Sequence, residues 1–166
     1  MLSRARRPSY RPLVPLWLFE LACVPVLAIA IALTARRVGA QRLAIDYGLL
    51  AVAGFLGEES CIRLYDHYHY ALGWHARIDE VPLLVPLIWP LVILSAREVR
   101  TALFPSLDPA RGALMVFALV ALDASMVEVV AVRAGLWTWA EPGHLDVPLL
   151  GILGWGFFAG AADLAM

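Results

Sequence analysis

Glu58 and Glu59, and further along Asp123 and Glu128, are carboxylates set in apolar sequence. An ionised side chain at the centre of a lipid-embedded helix costs about 2.5–3.5 kcal/mol on insertion scales. Each such residue therefore asks for a partner or a role. Glu59 and Arg63 are four positions apart, which puts them on one helix face as an ion pair. Glu58 points about 100° away around the helix and lacks that partner. A carboxylic acid without a counter-ion in a dry site keeps its proton at neutral pH, the state a general acid requires. Glutamates solvated at the helix end are the plainer reading of the same residues. Asp123 follows the run Val116 to Leu122 and is the hardest carboxylate to explain as surface. Glu128 lies nearer the following loop, where Arg133 offers it a partner, and ranks below Asp123. Glu20 and Asp46 are weaker candidates.

Two loops bring rings toward these acids. One reads Tyr65-Asp66-His67-Tyr68-His69-Tyr70, continuing to Trp74 and His75, and the other reads Gly135-Leu136-Trp137-Thr138-Trp139. Tyr and Trp gather at membrane interfaces for their amphipathic shape alone. They can equally wall a pocket, since aromatic faces attract a cation within about 6 Å. Asp66, His67 and His69 have metal-ligating side chains, but four histidines in the chain are too few for a membrane di-iron centre. No metal is expected.

The elements that position these groups are helices. Of the 166 residues, 61% are hydrophobic and mean hydropathy is +0.75. The apolar residues come in blocks of bilayer length, and lipid admits closed hydrogen-bonding such as a helix. Spans are expected at about 13–35, 43–65, 81–99, 112–133 and from 147 to the end. The expected fold is all-α: one polytopic transmembrane bundle, 1–166, of about five spans. The start Arg4-Ala5-Arg6-Arg7 resembles a signal peptide, but the apolar run to Ala35 is too long for one. Met166 follows the last apolar run without a polar tail, so either the last helix ends at the membrane face or the chain continues beyond it. Arg4, Arg6, Arg7 and Arg11 on one face are balanced by Arg36, Arg37, Arg42, Arg97, Arg100 and Arg111 on the other. The positive-inside rule thus leaves sidedness open.

The spans repeat. Glu80-Val81-Pro82-Leu83-Leu84 leads to Trp89, and Asp146-Val147-Pro148-Leu149-Leu150 leads to Trp155 at the same interval. Each copy follows an acid-bearing helix and an aromatic loop. The units are about 43–99 and 112–166, and Pro is expected in the first turn of each second helix. Units of two spans share one orientation, so both aromatic loops lie on one membrane face. Repeats meeting around a central site are a common membrane design.

Composition also bears on other classes. The net charge of −1 says nothing about nucleic acid, but no basic, ring-interleaved patch appears, and no nucleic-acid partner is expected. Cys23 and Cys61 fall inside apolar blocks and have no disulfide or zinc spacing.

Several segments in order resemble a known family. These are Glu58 to Arg63; Tyr68-His69-Tyr70-Ala71-Leu72-Gly73; Val81-Pro82-Leu83-Leu84 through Trp89; Asp123-Ala124-Ser125-Met126; Gly135-Leu136-Trp137-Thr138-Trp139; and Val147-Pro148 through Gly154-Trp155. They resemble the carotenoid-biosynthesis membrane proteins that include the carotenoid 1,2-hydratases of the bisanhydrobacterioruberin and gamma-carotene type, over about 49–158. Departures are Ala124 in place of a Pro, Gly151 in place of an Asn, and a short loop before Tyr68. The resemblance implies a multi-pass protein of the bacterial inner (cell) membrane that is a hydratase, a lyase by class, acting on a carotenoid or other polyisoprenoid. It implies no redox cofactor. Glu58 and Asp123 are then expected as the catalytic pair. Tyr68, Tyr70, Trp89, Trp137, Trp139 and Trp155 are expected to line the site, with Glu59, Arg63 and Asp66 in support. A lycopene-type cyclase, which would lose a proton from the same cation, is the alternative enzyme. A transporter or a membrane scaffold is the alternative without chemistry.

Overall fold

The computed structural model describes residues 15–166, and the N-terminal arginines Arg4, Arg6, Arg7 and Arg11 lie outside them. Five helices are described: α1 (Leu16–Val38), α2 (Ala40–Arg63), α3 (Leu84–Leu103), α4 (Pro109–Arg133) and α5 (Leu149–Ala165). The fold is all-α, as expected. Two of the helices, α1 and α4, are long and apolar enough to cross a membrane, and α5 is a shorter apolar helix. The five helices correspond to the five expected spans, and two of them pass that measure of length and composition. Charges toward the ends of α2 and α3 separate them from the other two, and those charges are paired. Arg42 meets Asp46 at 3.4 Å, Glu59 meets Arg63 at 3.5 Å, and Arg97 and Arg100 converge on Asp163 of α5 at 2.7 and 3.0 Å.

The expected loop at 36–42 shrinks to one residue. Gly39, at φ +91°, turns the chain directly from α1 into α2, a conformation that costs glycine nothing. Asp108 caps α4 by accepting the Arg111 backbone N–H, and Pro109 opens that helix, the standard place for it.

Four short strands were not anticipated. β1 (Tyr68–Tyr70) and β4 (Trp137–Trp139) pair antiparallel, centred on His69 opposite Thr138. β2 (Arg77–Ile78) pairs with β3 (Val81–Pro82). Pro82 and Pro148 consequently precede their helices instead of sitting in the first turn. Pro82 ends β3, and Pro148 is the residue before α5. In each unit the chain stays extended up to the proline because the preceding valine bridges backward, Val81 to Ile78 and Val147 to His144.

These bridges are one of several matched details between the units. The turns inside them carry positive φ at corresponding residues, Asp79 (52°) and Leu145 (54°), and Asp66 (50°) matches Gly135 (74°) ahead of each aromatic strand. Antiparallel pairing of the two corresponding strands about a common centre is what a twofold relation between units produces. The largest core gathers Leu43 and Leu50 of α2, Trp89, Ile93 and Leu94 of α3, Val116, Val120 and Ala124 of α4 and Ala159 of α5. Gly156 and Gly160 bring α5 close to α4. A Cβ on either would stand 3.0–3.1 Å from Phe117 or the Ala113 carbonyl.

Candidate functional site

Glu58 lies one turn and a half before the end of α2 and Glu128 in the same place on α4. Both are almost fully buried, at 4% and 3% exposure. Each is held by the aromatic strand of its own unit. Tyr68 and Tyr70 both donate their hydroxyls to Glu58 Oε2, the second at 2.6 Å. Trp137 and Trp139 both donate indole N–H groups to Glu128 Oε2, at 2.9 and 3.2 Å. Burial first, and the Glu58 carboxyl next, push both phenols far above the usual tyrosine range, so both stay protonated and remain donors.

The β1–β4 pairing sets Tyr68 opposite Trp139 and Tyr70 opposite Trp137, with ring centroids 4.8 and 5.8 Å apart. It thereby joins the two ring pairs into one wall. Across from it, Trp89 of α3 and Trp155 of α5 stack with centroids 3.5 Å apart and planes at 15°. Isolated rings prefer offset or edge-on contact, so helix packing imposes this face-to-face arrangement. The six rings, both glutamates and Val85 enclose a chamber of about 20 Å³. About 10–15 Å³ on this measure suffices for one water molecule.

On the α2/α5 side the chamber borders a cavity of about 250 Å³, whose apolar walls include Gly54, Gly57 and Phe158 and onto which Glu58 also opens. Beyond the local helix backbone, nothing stands within 4 Å of where a Cβ would be on Gly54, Gly57 or Gly154, so this flank is open. Gly151 is different: a Cβ there would lie 2.4 Å from Trp139 Cζ2. The Trp139 indole takes the space that a side chain at Gly151 would need.

The chamber brings together Glu58, Tyr68, Tyr70, Trp89, Trp137, Trp139 and Trp155. It does not include Asp123. That residue lines a separate cavity of about 530 Å³ between α3 and α4, and the second carboxyl beside Glu58 is Glu128. Asp123 and Glu128 are five residues apart on one helix, and depth in an apolar run does not say which face a residue takes. Nor is Glu128 held by Arg133, since its partners are the two indoles. A sequence signal for Glu128 existed: the intervals Glu128 to Trp137 and Trp139 nearly reproduce those from Glu58 to Tyr68 and Tyr70.

The supporting residues lie outside the chamber. Arg63 bridges Glu59 and, at 2.6 Å, Asp79, tying the end of α2 to the turn before β3. Asp66 Oδ1 lies 2.7 Å from His69 Nε2. Glu20 of α1 accepts the backbone N–H groups of His75 and Ala76 at 3.0–3.2 Å and anchors the loop after β1. Among the described residues, no group of three or more His, Cys, Asp or Glu side chains could hold a metal ion.

A helical bundle in which two like units each give one buried glutamate and one ring pair to a shared chamber defines the class: an all-α protein with acid groups at its centre beside an apolar cavity. The sequence pattern of the carotenoid biosynthesis protein family matches residues 16–166, and the chain belongs to that family. No curated protein and no solved structure matches it.

Proposed function

We propose that this protein adds water to a terminal C=C bond of an acyclic carotenoid, with Glu58 as acid and Glu128 as base, in the bacterial cell membrane. The observation that carries this reading is the pair of buried glutamates on one chamber with room for a single water. The family supports a role in carotenoid biosynthesis, and a carotenoid would reach the site sideways from lipid through the open α2/α5 flank. The proposed setting is a multi-pass one, in which α2 and α3 also cross the bilayer with their charged ends paired.

Glu58 borders both the chamber and the α2/α5 cavity, so it is the acid placed to meet the substrate. Both phenols hold Oε2, which leaves Oε1 to carry the proton. Transfer of that proton to the less substituted carbon of the terminal C=C breaks the π bond and leaves a tertiary cation on the dimethyl carbon. The faces of Trp89, Trp155 and Trp139 stabilise such a cation. The water attacks the cation through oxygen and gives its proton to Glu128 Oε1, since Oε2 is held by two indoles. The product is a tertiary alcohol. A proton passed from Glu128 to Glu58 through the next water restores the starting state. No electrons are exchanged.

The test is pigment analysis in cells that make lycopene. Expression of the wild-type chain is expected to yield a product heavier by one water, and Glu58→Gln and Glu128→Gln are each expected to abolish it while the protein still accumulates in membranes. An isomeric hydrocarbon from the wild type would replace hydration with cyclisation. Unchanged product from both variants would overturn the acid–base assignment.

A further inference from the structure

The α3/α4 cavity corresponds to the α2/α5 cavity under the internal repeat. Ala53, Gly57 and Cys61 of α2 line the first; Asp123, Val127 and Ala131, at one constant interval along the chain, line the second. The facing helices correspond in the same way, while Phe19 and Trp74 line the second cavity alone. Leu150, Gly154 and Phe158 of α5 in the first cavity match Leu84, Ile88 and Val92 of α3 in the second. The two cavities therefore flank the glutamate chamber as equivalents. Trp139 and Trp155 border the chamber and the first cavity, and Trp89 and Trp137 border the chamber and the second.

Their chemistry has diverged at two kinds of position. Glycines 57 and 154 in the first cavity become Val127 and Ile88 in the second. Ala53 in the first becomes Asp123 in the second, the one ionisable side chain on that cavity's otherwise apolar lining. Glu58 and the polar side chains Cys61, Tyr65, His67 and Tyr68 all come from the end of α2 and the segment after it; the rest of the first cavity's lining, Ala53 included, suits a hydrocarbon chain. The second offers a slot of the same placement with one hydrogen-bond acceptor, which suits a chain bearing a hydroxyl group. A site with a polar partner for a hydroxyl discriminates strongly against the analogue that lacks it.

We propose that the α3/α4 cavity is a second isoprenoid-binding groove, selective through Asp123 for an acyclic chain with a hydroxyl group. The proposal rests on the hydration reading for the source of such a chain, because a tertiary alcohol is the product of that reaction. Asp123 acts here in recognition, in place of the catalytic role expected for it from the sequence. A membrane phospholipid filling the groove is the competing occupant.

The purified full chain in detergent micelles is loaded with lycopene, with 1-hydroxylycopene, or with both, and retained pigment per protein is read by absorbance. The wild type is expected to retain one of each when offered both. Val130→Trp, which fills the second groove from its lining, is expected to lose the hydroxylated chain and keep lycopene. Gly154→Leu is expected to do the reverse. Asp123→Ala is expected to weaken the hydroxylated chain at least tenfold without changing lycopene. Thermal unfolding of each variant checks that it is folded. Retention of both pigments by folded Val130→Trp overturns the proposal. So does a wild type that binds a single chain, or one whose second groove releases phospholipid alone. If two chains bind with this pattern of variants while no water is ever added to lycopene, the groove stands and the hydration chemistry falls.

Discussion

Trp89 lies flat on Trp155, with ring centroids 3.5 Å apart, and the two are the same position of the two units. The stack marks where the units meet, and each of its rings borders a different lateral cavity. The acids, the ring wall and the stack are each half from one unit and half from the other.

Glu128 shares the chamber with Glu58 and Asp123 does not, so the proposed reaction uses Glu128. Glu128→Gln is expected to reduce conversion of lycopene at least 100-fold, the usual scale of general acid–base catalysis. Asp123→Asn is expected to stay within a few-fold of wild type. Rates of pigment conversion in isolated membranes, normalised to protein, distinguish the two. The reverse order would return catalysis to Asp123.

Removing the phenol donors makes Glu58 a poorer proton donor, because they stabilise the carboxylate it becomes. A hydrogen bond to a charged group contributes about 1.5–3 kcal/mol, so Tyr68→Phe and Tyr70→Phe are each expected to slow conversion about tenfold or more. The double variant is expected to fall further, with both rings still in place to line the chamber. Conversion by Tyr68→Phe/Tyr70→Phe equal to wild type would mean that the phenols do not set the state of Glu58.

Gly151 leaves space for one indole. Gly151→Ala puts a methyl group 2.4 Å from Trp139 Cζ2, so the indole must move and its 3.2 Å bond to Glu128 must stretch. Overpacking of this kind costs about 1–3 kcal/mol. A lower unfolding midpoint together with lost conversion is expected. Full activity in Gly151→Ala would show that Trp139 need not hold Glu128.

At the far end of the bundle, Asp163 is the buried junction of α3 and α5. Its side chain is 2% exposed and faces both Arg97 and Arg100. Breaking a buried pair by removing one partner costs about 3–5 kcal/mol. Asp163→Leu is therefore expected to destabilise strongly in detergent unfolding assays, and a shift below 1 kcal/mol would contradict the burial of this junction.

Leu145 holds φ at 54° in the turn before α5 and is substantially exposed. Side chains other than glycine, asparagine and aspartate resist that conformation by about 1–2 kcal/mol. Leu145→Asn is expected to raise stability by up to about 1 kcal/mol, measured by thermal unfolding, with no change in pigment conversion.

The helices were legible because apolar blocks of bilayer length leave few other structures open. The six rings were legible because they fall at matching positions of two copies of one pattern. The strands β1 and β4 were not, since each is only three residues long and its pairing partner is on the other unit. Glu128 was misplaced for a related reason. Asp123 has more apolar sequence around it, and that measures distance from the helix ends, whereas the site is decided by the face. Aligning the two units on their glutamates, rather than ranking acids by depth, selects Glu58 and Glu128 together.

The pairing of β1 with β4 makes the chamber depend on both units. A lone unit of two helices carries one glutamate, one ring pair and an unpaired strand edge, and encloses nothing. Only when a second unit presents its own strand in the opposite direction does a chamber exist. One unit alone would complete such a chamber only by pairing with an identical copy of itself. With both units in one chain the two lateral cavities need not be identical, and Ala53 on one side stands where Asp123 does on the other.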